Sequence, residues 1–83
     1  MKTANLINKL NKMNIENKIV DVNGYNKDVV FTINKMTFYA GFTANNDTII
    51  DYCRNICYDN CSQETQRRFF DNFNQILRYA ARN

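Results

Sequence analysis

The spacing of hydrophobic residues changes twice along this chain, and the changes mark its elements. Leu6, Ile7, Leu10 and Met13 recur at helical intervals with Lys9, Asn11 and Lys12 between them, which predicts a short amphipathic helix. Thr3 is placed to cap its start and Asn14 to end it in the left-handed conformation. From Lys18 the period becomes two. Ile19 to Val22 reads as a first strand, and Asn23-Gly24 as a type I′ hairpin turn, which needs positive φ at both central residues. A second strand runs from about Asp28 to Ile33, with Val29, Phe31 and Ile33 on one face. After a turn at Asn34-Lys35, a third strand from Met36 to Phe42 sets Met36, Phe38, Ala40 and Phe42 against Thr37, Tyr39 and Gly41.

The segment from Thr48 to Tyr58 fits two periods. Ile49, Ile50, Cys53, Ile56 and Cys57 make a helical stripe, but its Ile, Tyr, Cys and Thr content favours a fourth strand. Asp59-Asn60-Cys61-Ser62 then reads as a loop with a capping signal. Beyond it, Phe69, Phe70, Phe73, Ile76, Leu77 and Ala80 form a stripe that predicts a helix with three phenylalanines directed into the core. The expected architecture is α+β: an N-terminal helix, an antiparallel three- to four-stranded meander, and a long C-terminal helix packed on one face of the sheet (α-β-β-β-β-α). With one apolar face on the strands and 83 residues in all, residues 1–83 should share one core as a single domain.

Composition narrows the chemistry. At 45% hydrophobic and 13% aromatic residues the chain is expected to fold. With no histidine, Cys-His and Ser-His-Asp arrangements are impossible, and with only Gly24 and Gly41 there is neither a phosphate-cradling loop nor a dinucleotide fingerprint. The carboxylate pair on offer is Asp47 with Asp51, read as solvent-facing. Cys53, Cys57 and Cys61 are odd in number, clustered, and spaced C-x3-C-x3-C, which suits structural thiols better than a disulfide framework or a zinc site built from C-x2-C knuckles. No enzyme activity, metal or cofactor is expected. No apolar run reaches the length of a membrane span and the N-terminus has no signal-peptide core, so a cytoplasmic protein with no membrane partner is expected.

Two surfaces are left for a partner. If Phe31 and Phe38 point inward, then Tyr25, Thr37 and Tyr39 point outward, joined by Tyr52 or Tyr58 from the fourth strand, and exposed tyrosines on a sheet suit a protein interface. The net charge of +3 is concentrated at the two ends, where Lys9 and Lys12 on the first helix and Arg67, Arg68, Arg78 and Arg82 on the last could together contact nucleic acid or an acidic partner. The bland alternative is a solvated helix in which Arg67 pairs with Asp71. A sheet of this kind also leaves edges to be blunted or paired, so a homodimer is compatible with it.

The string from Arg67 to Ala80, RRFFDNFNQILRYA, following Val29-Val30-Phe31 and Thr37-Phe38-Tyr39-Ala40, resembles small helix–meander–helix accessory domains of phages and mobile elements, associated with large polyvalent proteins and anti-CRISPR-like. The resemblance covers most of the chain from Val29 onwards and rests on a core pattern, so no site residue is carried over. It implies a viral or plasmid origin, a strand at Thr48 to Ile56, and a non-enzymatic phage protein acting in the host cytoplasm by binding a host protein or protein–nucleic-acid complex, including inhibition of a defence system.

Overall fold

The computed structural model describes residues 1–57 and 65–82. Its elements are α1 (Thr3–Lys12), β1 (Asn17–Asp21), β2 (Asn26–Ile33), β3 (Met36–Thr43), β4 (Asn46–Cys57), β5 (Thr65–Phe70) and α2 (Phe73–Arg82). The five strands pair antiparallel in chain order, β1-β2-β3-β4-β5, so the α+β meander expected from the sequence is present with one strand more. Tyr58, Cys61 and the turn read at 59–62 lie outside the described residues.

The register explains which residues meet. One row, Ile19, Val29, Ala40, Tyr52 and Phe70, crosses all five strands. On this face Val29, Phe31, Phe38 and Ala40 are buried beneath Leu6 and Leu10 of α1 and Phe73, Ile76 and Ala80 of α2. Aromatic rings tie the layers together: Phe31 meets Phe73 edge-on at 5.8 Å, and Phe38 and Phe70 both meet Tyr79. At ~1.5–3 kcal/mol for each large apolar side chain taken from water, this layer supplies the main favourable contribution to folding. The adjacent row on the other face, Lys18, Val30, Tyr39, Cys53 and Phe69, is not part of that core.

Several local expectations are corrected. Arg67 to Phe70 lie in β5, and α2 begins only at Phe73. The two-residue period of a strand therefore splits the phenylalanines: Phe70 is buried and Phe69 is 59% exposed on the opposite face. Asn72 caps α2, its Oδ1 accepting from Gln75 N–H at 2.9 Å, while Gln75 Oε1 accepts from Asp71 N–H at 2.6 Å. This reciprocal cap is what separates strand from helix. Thr3 does not cap α1: the N-cap is Lys2, with no side-chain bond, and the buried Thr3 hydroxyl has no partner. Met13 lies exposed beyond the end of α1, while Asn14 does take positive φ, at 56°.

The turns exchange roles. Asn34 and Lys35 both have positive φ, 51° and 66°, and make the two-residue type I′ turn between the paired residues Ile33 and Met36. Near Asn23-Gly24 only Gly24 has positive φ. Here Asn23 Oδ1 accepts from the N–H groups of Tyr25 and Asn26, and Asp21 Oδ1 from that of Gly24, so side chains hold a wider loop.

Candidate protein-binding face

Both helices lie on one side of the sheet, and among the described residues no helix covers the other face. A second row on that face runs Val20, Asp28, Gly41 and Asp51. Gly41 is where the surface dips. A Cβ added there would stand 2.7 Å from Asp51 Oδ1 and 3.5 Å from Asp28 Oδ1, so the two carboxylates lean over the glycine from either side. The dip opens into a groove of about 410 Å³ whose walls include Asp28, Tyr39, Asp51, Cys53, Asn55 and Arg67.

Electrostatics follow from this packing. Burial raises the Asp28 carboxyl above its ordinary range; the neighbouring Asp51 raises it further and Arg67 offsets part of the effect. Cys53 is buried in the groove floor, and burial pushes its thiol up, against the pull of Arg67 and with the help of Asp51 and Asp28. It is therefore a protonated packing residue rather than a nucleophile. Among the described residues no three metal-ligating side chains gather.

Two large apolar side chains stand exposed beside this mostly polar groove. Phe69 flanks Cys53 on β5, and Ile50 is 65% exposed beside Asp51. The register shift between Gly41 and Thr43 opposite β4 accounts for Ile50: the extra residues turn Ile49 into the core and its neighbour outward. Val20, Val22 and Tyr25 extend the exposed apolar surface towards β1.

Of the residues expected on this face, Thr37 and Tyr39 are there, half-buried, and Tyr25 is exposed on the loop after β1. Tyr52 is not: it pairs with Ala40 and Phe70 on the helix-covered face and is only 7% exposed, because its strand alternates in step with Phe70. The basic set does not form one helical surface either. Arg67 lies in the groove wall, so the helical Arg67–Asp71 pair does not exist. Arg68 stacks on Tyr79 at 4.7 Å and Phe70 at 5.5 Å, opposite Arg54, whose Nη1 donates to the Tyr79 hydroxyl at 2.9 Å. Lys9 lies over the Phe73 ring at 6.0 Å, while Lys12, Arg78 and Arg82 remain exposed on the helices.

Asp47 forms an ion pair with Lys2 at 3.4 Å rather than a site with Asp51. The partner of Asp51 is Asp28, which sequence reasoning missed. The alternation in β2 puts Asp28 and Val30 opposite Val29 and Phe31, but only the register with β3 brings Asp28 to Gly41. No protein-family model, curated protein or solved structure matches the chain. No helix among the described residues is long and apolar enough to cross a membrane.

Proposed function

We propose that this domain is a non-enzymatic binding module that docks a protein partner on the uncovered face of its sheet. The observation that carries this reading is a pair of large exposed apolar side chains: Ile50, 65% exposed at the rim of the groove that holds Asp28 and Asp51, and Phe69, 59% exposed on β5 opposite Cys53 of the groove floor. Exposed aromatic and aliphatic anchors around a partly desolvated charged pocket are the arrangement of an interface hot spot. The carboxylates of Asp28 and Asp51 suit a lysine or arginine side chain from the partner, which would relieve their mutual repulsion.

The likeness of the residues from Val29 to Ala80 to phage accessory domains supports a host defence complex as that partner, with inhibition by occupancy as the mode and the host cytoplasm as the place. The test is a pull-down from host lysate with wild type, Phe69→Asp and Ile50→Asp, each checked for an unchanged circular dichroism spectrum. Recovery of one specific protein by the wild type and its loss with either variant supports the reading. Tight, steeply salt-dependent nucleic-acid binding that survives both substitutions, with no protein recovered, refutes it in favour of the exposed basic residues Lys12, Arg78 and Arg82.

A further inference from the structure

We infer that β1 pairs with the β1 of a second copy, joining two sheets edge to edge. The direction of its backbone groups comes from two hydrogen bonds. Val22 N–H donates to Asn26 O at 2.9 Å, and Thr32 N–H donates to Glu16 O at 3.3 Å. In an antiparallel ladder bonded pairs alternate with unbonded ones, so Glu16, Lys18, Val20 and Val22 direct their N–H and C=O groups at β2. Asn17, Ile19 and Asp21 must therefore direct theirs outward, along the free edge of the sheet.

Neither a proline nor a bulge blunts this edge, Asn17–Asp21. Ile19 is 53% exposed although its row is the one the helices cover further in. A row of outward amides and carbonyls on an extended strand is matched by another extended polypeptide segment, and by little else.

The side chains favour a copy of the same strand. In antiparallel pairing about a two-fold axis at Ile19, Ile19 faces Ile19, Asn17 faces Asp21 and Lys18 faces Val20, so no like charges are opposed. The other edge does not share this property. Self-pairing of β5 about a two-fold axis at Arg67 or at Arg68 would oppose arginine to arginine.

The proposal is independent of the partner-binding face and is tested separately from it. Sedimentation equilibrium of the full chain should give a mass rising from monomer to dimer with concentration. Ile19→Pro removes an outward donor without touching the ladder to β2, so it should leave a folded monomer; Phe69→Asp should leave the dimer intact. In the wild type, hydrogen exchange at the Ile19 and Asp21 amides should slow as concentration rises. That measurement needs no variant to fold. A wild type that stays monomeric up to its solubility limit, with those amides exchanging at the same rate throughout, overturns the inference. So does a dimer that Phe69→Asp abolishes and Ile19→Pro does not.

Discussion

Truncating Phe69 and Phe70 one at a time separates two descriptions of the same sequence. In a helix both belong to the stripe that continues through Phe73, and both are anchors. In β5 they face opposite ways. Phe70 is 5% exposed, with its ring 5.7 Å from Phe38 and 5.2 Å from Tyr79, whereas Phe69 is 59% exposed. Phe70→Ala removes a buried ring and leaves a cavity between the sheet and α2, a change that costs ~3–5 kcal/mol. Phe69→Ala loses only partly buried area and some strand preference, within about 1 kcal/mol. Since small domains are stable by roughly 5–15 kcal/mol, the first variant is seriously weakened and the second is not.

Urea unfolding followed by far-ultraviolet circular dichroism measures the difference directly, provided the slopes agree. In thermal melts, where about 1 kcal/mol moves the midpoint of a domain this size by roughly 4–8 °C, Phe70→Ala should fall by at least about 12 °C. A loss for Phe69→Ala equal to that for Phe70→Ala would refute the strand, and with it the exposed anchor on which the binding face depends.

Three further outcomes follow from individual contacts. Thr3→Val should leave stability unchanged or raise it by up to about 2 kcal/mol in urea titrations, because it deletes a buried hydroxyl without a partner; a capping threonine would instead cost about 1 kcal/mol. The raised Asp28 carboxyl means the folded chain holds that proton more tightly than the unfolded chain, so its contribution to stability is lost as pH rises from the ordinary value of 3.8 through the folded one. The stability of Asp28→Asn minus that of the wild type should therefore increase over that rise, and a difference that falls with rising pH would contradict the sign. Gly41→Ala should keep its unfolding free energy in urea titrations within about 1 kcal/mol of wild type, since the atom in the way is the mobile end of Asp51, yet it should weaken partner recovery in the pull-down by filling the groove floor.

How much of this was legible in the sequence depended on whether the signal was local. Helical spacing found Leu6 and Leu10, and alternation found the strands bearing Val29, Phe31, Phe38 and Ala40, because each pattern repeats within one element. The Phe69-Phe70-Phe73 run defeated the same logic. Two adjacent phenylalanines satisfy a helical stripe and a strand with one residue on each face equally well. The deciding signal was the Asn72-x-x-Gln75 cap inside the run. Tyr52 and Asp28 were not legible at all. Which face a residue takes in an irregular strand depends on its register with neighbours, and the shift before Asp51 sets the register of β4.

The two proposed surfaces are geometrically linked. In a two-fold pairing with Ile19 opposite Ile19, the paired side chains lie on the same face of the joined sheet, so the axis stands perpendicular to that sheet. Both helix layers then fall on one side and both uncovered faces on the other. A dimer of this kind presents two copies of the groove between Asp28 and Asp51 in one direction, with Val20 and Val22 of each copy between them. A partner with repeated sites, or an assembly of identical subunits, would be held by both grooves at once, and the second contact would form at an effective concentration set by the rigid sheet. Edge pairing through β1 would thus do more than hide unpaired backbone: it would present the two grooves to such a partner as one bivalent surface.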